Sequence, residues 1–131
     1  GVDNGSQSAQ NLAQILTNTG VQLTKLGRAD REIQDLTKEV GIKLNGAIFD
    51  NDTALKAERL NNRIFNIEIS SLRTKRDATK DGYQRYAINS KIKELEAQRD
   101  KISDAILGKT KIPKKYTAET ADEFVRSGEY E

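Results

Sequence analysis

LAQILTNTGVQLTKLGRADREIQDLTKEVGIKLNGA, residues 12–47, is the stretch that decides the fold. Leu12, Leu16, Thr19, Leu23, Leu26, Ala29, Ile33, Leu36, Val40, Leu44 and Ala47 recur three or four residues apart, and all but Thr19 are apolar. This spacing keeps one side of a helix turned toward a partner along its whole length. It predicts a single long amphipathic helix over 8–48, with Ser6 or Ser8 able to cap its start. Gly20, Gly27, Gly41 and Gly46 lie inside it. Each weakens a helix by about 0.5–1 kcal/mol relative to Ala, and Gly20 and Gly41 are the expected kinks.

Beyond this helix, Phe49-Asp-Asn-Asp-Thr53 interrupts the pattern, and Asp52 or Thr53 can receive the free N–H groups of a new helix. A second helix is expected over 54–79. Leu60, Ile64 and Ile67 line one face of it, widened by Phe65, Ile69 and Leu72. Apolar residues then nearly vanish up to the turn signal Asp81-Gly82, which marks a solvated tip. Ile88, Ile92, Leu95, Ile102 and Ile106 resume the spacing, with Arg99 in the one polar slot, so a third helix is expected over 83–107. Gly108 is its expected left-handed terminator. Two helices of similar length joined by a short connection most simply pair as an antiparallel hairpin.

The organisation is therefore a start over 1–7, a helical body over 8–108 and a tail over 109–131. In the tail Lys109, Lys111, Lys114 and Lys115 form a basic linker, and a short acidic helix capped by Thr117 follows. Tyr116, Phe124, Val125 and Tyr130 are the side chains able to dock it. The fold class is all-α: a long N-terminal helix, a hairpin and a short C-terminal helix.

Composition agrees with thin helical packing. Of 131 residues, 35% are hydrophobic, 32% are charged and only seven are aromatic, so apolar side chains must lie in narrow stripes. Cys and His are absent, which leaves no disulfide and no Cys or His metal ligand. No run of eighteen apolar residues offers a conventional bilayer-spanning helix. The opening Gly1-Val2-Asp3, without Met, is expected of a processed chain, a tag remnant or an excised part.

Candidate chemistry is sparse. Asp50-Asn51-Asp52 begins like a calcium loop, but Leu55 and Asn61 stand where the loop needs Gly and Glu, so a capping turn is the better reading. Glu94, Glu96 and Asp100 alternate with Lys and Arg as solvated faces do. Arg28 with Glu32, and Arg31 with Asp35, are spaced as surface pairs one turn apart. With no nucleophile-and-base pair and no phosphate loop, the chain is expected to be no enzyme, with no cofactor, metal or small-molecule substrate.

Three features remain. The seam residues Leu12, Leu16, Leu23, Leu26, Ile33, Leu36 and Val40 suit packing against copies of the chain or against partner helices. At the hairpin tip Arg73, Lys75, Arg76, Lys80 and Arg85 outweigh Asp77 and Asp81, so Arg73, Lys75, Arg76 and Lys80 are candidates for transient contact with DNA or an anionic membrane. Finally, Asn4–Thr24 contains no charge in a chain otherwise one-third charged. Its Ser, Gln, Asn and Thr suit burial between copies, or a neutral tube lining past which a polyanion slides.

The end of the chain, IPKKYTAETADEFVRSGEY over 112–130, resembles a segment of tailed-phage virion proteins. There a Tyr-Thr start, an acidic helix with one aromatic and Ser/Thr-Gly-Asp/Asn-Tyr recur; Ala118 stands here where Pro is usual. With the long helices before it, the chain looks like an ejection (internal virion) protein of a short-tailed phage. That resemblance implies a homo-oligomer acting with other virion proteins, located in the virion and, after ejection, in a genome-delivery conduit of the host envelope. The alternative reading is a coiled-coil adaptor or secretion-apparatus component.

Overall fold

The computed structural model describes residues 4–108, with side chains described from Ala9 onward. It is all-helical over that span: α1 (Asn4–Lys25), α2 (Arg31–Asn45), α3 (Asn51–Ala78) and α4 (Gly82–Leu107).

The expected helix over 8–48 is two helices, α1 and α2, folded back on each other. The break lies at 26–30, and neither Gly20 nor Gly41 is a kink. Gly27 adopts φ +72°. Its N–H donates to Thr24 O at 3.1 Å, and that of Arg28 reaches back to Leu23 O at 2.8 Å. This crossed pair satisfies the last carbonyls of a helix and turns the chain out of it. Asp30 then accepts the Ile33 N–H at 2.8 Å and starts α2. Spacing could not reveal the break, because Leu26 and Ala29 keep the three-four rhythm through the turn.

The next connection repeats the device twenty residues on. Ala47, at φ +58°, takes the place of Gly27. Its N–H donates to Leu44 O at 3.0 Å, and the Ile48 N–H donates to Lys43 O at 2.8 Å. The cap is Asp50, not Asp52 or Thr53: its Oδ1 accepts both the N–H and the hydroxyl of Thr53, at 2.9 and 2.7 Å. Hence α3 begins three residues ahead of the expected start. These bonds to Thr53 and the charge of Lys43 hold the Asp50 carboxyl below its ordinary value.

α1 and α2 approach closely because each offers a glycine to the other's threonine. A Cβ on Gly20 would collide with Thr37 Oγ1, and one on Gly41 would meet Thr17 Cγ2 at 3.3 Å. Both threonine hydroxyls are satisfied within their own helices, Thr17 by Ala13 O at 2.9 Å and Thr37 by Ile33 O at 2.6 Å. The methyls are therefore free to pack.

α3 and α4 run antiparallel, as the cross-links Arg73 to Glu96 and Asn61 to Arg99 O require. Asp81 caps α4 by accepting from Tyr83 N–H, and Arg85 donates to the Arg76 and Thr79 carbonyls at the end of α3, the first of which also accepts the Thr79 N–H. Gly108, expected to be left-handed, has φ −58° and continues right-handed while its N–H bonds Asp104 O.

Two apolar clusters result. The main one joins all four helices: Ala13 and Leu16 of α1, Ile33, Leu36 and Val40 of α2, Ala54, Ala57 and Leu60 of α3, and Ile106 of α4. The second, Ile69, Ile92 and Leu95 with Phe65, Leu72 and Ile88, belongs to α3 and α4 alone. A buried polar belt lies between them. Ser103 donates to Glu58 at 2.9 Å, Asn61 to Arg99 O at 3.0 Å, Arg99 to Asn66 at 3.0 Å and Asn66 to Asn62 at 3.0 Å.

Candidate functional site

The fold divides the candidate seam. Leu16, Ile33, Leu36 and Val40 are buried inside one chain, Leu12 and Leu23 are half-buried, and Leu26 is 67% exposed. Their common face, expected to meet a second chain, is thus mostly occupied by the chain's own α3 and α4. A partner helix cannot use it without opening the fold.

What α1 leaves outside is its uncharged side. Asn11, Gln14, Ile15, Asn18 and Gln22 are all exposed, Ile15 by 59%. Ile15 lies about a third of a turn away from the buried Leu16, so the closing of the α1–α2 pair turns it outward.

Along the other flank of α1, an open groove of about 980 Å³ runs between α1 and α2. Its floor contains Thr17, Thr37 and Gly41, and small residues here keep it recessed. Val21 and Ile42 are the exposed apolar groups on its walls. Lys25, Arg31 and Lys38 face Asp35 as its charged lining, a net +2 from three cations and one anion. Arg31 and Asp35 form an exposed pair at 3.9 Å, which contributes little. Lys25 and Lys38 have no carboxylate partner among the described residues.

The tip cations are not equivalent. Arg73 is held by Glu96 at 2.8 Å, and Arg76 bonds Asp77 at 3.2 Å and Asn89 at 2.9 Å. Lys75 and Lys80 are exposed, with no ion pair among the described residues. Sequence reasoning missed Tyr83 and Tyr86, which are 84% and 72% exposed at the start of α4. Their signal was available: both lie on the side of α4 opposite Ile88.

Other ion pairs link or start the helices. Glu32, spaced as a partner for Arg28, instead bridges α2 to α3 through Arg59 at 2.6 Å and Arg63 at 2.8 Å. Asp52 pairs with Lys56 at 3.1 Å, so both carboxylates of the calcium-like triplet are engaged in starting α3. That pairing, by hydrogen bond and then charge, raises the Lys56 pKa. Among the described residues no three His, Cys, Asp or Glu side chains gather as metal ligands, and no helix is long and apolar enough to cross a membrane. Tyr116, Phe124, Val125 and Tyr130, with the basic linker and Thr117, lie outside the described residues.

Comparison of the chain with family models, with curated proteins and with solved structures gives no match.

Proposed function

We propose that this chain is a non-enzymatic structural protein of a phage virion that associates with copies of itself. In this reading it is an ejection protein forming part of a genome-delivery conduit across the host envelope. The observation that carries the self-association is the outer side of α1. A helix face built from Asn11, Gln14, Ile15, Asn18 and Gln22 adds no unpaired charge to a contact when it is covered. An exposed isoleucine at its centre supplies apolar area to such a contact. The phage assignment rests on the resemblance of 112–130, and other virion proteins are the further partners it implies.

Mass measurement of the purified chain tests the reading. The expected result is an oligomer that Ile15→Glu with Asn18→Glu converts to monomer while helical content is kept. A chain that is strictly monomeric at high concentration, both in buffer and in membrane-mimicking detergent, refutes it.

A second reading is favoured by Lys75 and Lys80 standing exposed at the tip together with Tyr83 and Tyr86: transient contact with DNA or a host membrane. Such affinity falls with salt. Neutralising Lys75 and Lys80 without loss of binding to duplex DNA or to anionic vesicles removes it.

A further inference from the structure

The groove between α1 and α2 has an occupant of matching charge in the same chain. Residues 116–131 carry Glu119, Asp122, Glu123, Glu129 and Glu131 against Arg126, a net −4 from five anions and one cation. The groove lining is net +2, and its Lys25 and Lys38 lack carboxylate partners among the described residues. Phe124 and Val125 supply the apolar pair that the exposed Val21 and Ile42 lack.

The point of departure also fits. Ile106, in the last turn of α4, packs in the same cluster as Ala13 of α1 and Val40 of α2. Those two are near neighbours in sequence of Gln14, Gly41 and Ile42 at one end of the groove. Chain leaving Gly108 therefore starts from the four-helix core on which the groove is set, with a helix about 10 Å thick to pass. The seven residues 109–115 reach at most about 25 Å when extended, which is enough. A helix capped by Thr117 spans at most about 21 Å over the fourteen residues 118–131, against about 18 Å for the twelve-residue wall from Gln14 to Lys25.

We infer that the acidic segment 116–131 docks in the α1–α2 groove of its own chain, its carboxylates on Lys25 and Lys38 and its Phe124 and Val125 on Val21 and Ile42. Tethering through a short linker makes the contact effective at low intrinsic affinity, because the local concentration is on the order of millimolar. Salt weakens it, since the charges are at the surface.

The absence of native cysteine permits a clean test. The full chain with Ser127→Cys carries a nitroxide label, and amide signals are compared before and after the label is reduced. Loss of signal is expected at Val21, Lys38 and Ile42 and not at Lys75 and Lys80 at the distant hairpin tip. Lys25→Glu with Lys38→Glu, or high salt, should restore those signals while the helical circular dichroism stays unchanged. Signals at Val21 and Ile42 that survive the label overturn the proposal. So does loss appearing only when labelled chain is mixed with isotope-labelled, spin-free chain, because the occupant is then a second copy. Broadening untouched by the charge reversal refutes the assigned lysine contacts.

Discussion

Exchanging glycine and alanine between the two inter-helix turns should raise the stability of one and lower that of the other by similar amounts. Gly27 and Ala47 hold the same left-handed position, at φ +72° and +58°, within the same crossed hydrogen bonds. Left-handed backbone costs an L-residue about 1–2 kcal/mol. Glycine escapes that cost but gives up about 0.5–1 kcal/mol through the greater freedom of its unfolded chain. Ala47→Gly should therefore stabilise the protein by roughly 0.5–1 kcal/mol, a rise in Tm of roughly 2–5 °C for a chain of this size. Gly27→Ala should destabilise by about the same amount, because a Cβ there meets nothing within 4 Å and only the dihedral is strained. The two turns lie at opposite ends of α2, so the double exchange should return to parental stability. Urea unfolding followed by far-UV circular dichroism, with an unchanged m-value, reads all three variants. If Ala47→Gly is neutral or destabilising while Gly27→Ala is costly, the two turns are not energetically equivalent and the reasoning fails.

Gly20→Ala should cost about 1–3 kcal/mol through collision with Thr37 Oγ1, and Thr37→Ala in the same chain should recover part of it in denaturant unfolding. Ser103→Ala, which removes a buried donor from Glu58, should cost about 1–3 kcal/mol by the same measurement. For Asp50 the folded pKa is depressed, so its stabilisation is complete above the unfolded value near 3.8 and fades as pH falls from there through the lower folded value. Asp50→Asn, which keeps an acceptor without the titration, should flatten the acid limb of stability against pH; an unchanged limb assigns it to other groups. Hydrogen exchange should show Ile69 and Leu95 amides opening at lower free energy than those of Val40 and Leu60, and uniform protection would show that the hairpin does not open separately.

All-helical character was legible because periodicity reports which way side chains point. Ile92, Leu95 and Ile106 are buried on the face their spacing defines. Chain reversals were less legible, because a reversal is written in a few backbone dihedrals. Leu23, Leu26, Ala29 and Ile33 keep helical spacing across a turn that Gly27 and Asp30 create. Ala47 carried even less signal, since alanine is the strongest helix former yet occupies the left-handed position. The glycines expected to bend the chain, Gly20 and Gly41, are instead where two straight helices touch. A composition rule sees missing side chains but not what fills the space.

The seam shows why an apolar stripe does not name its partner. Leu16, Ile33, Leu36 and Val40 would look the same in sequence whether covered by another chain or by α3 and α4, because burial removes the same area from water either way. What distinguishes the surfaces left over is polarity. The polar belt of Glu58, Asn61, Asn66, Arg99 and Ser103 separates the four-helix core from a distal hairpin whose apolar support is three buried side chains, Ile69, Ile92 and Leu95, and the half-buried Phe65, Leu72 and Ile88. Buried hydrogen bonds stabilise little net but cost much if left unmade, so the belt fixes the register of α3 on α4 more than it strengthens it. The tip is thereby held at a defined distance from the core. If the hairpin end opens first, as the exchange prediction has it, the outer side of α1 and the groove, both set on the four-helix core, should keep their geometry.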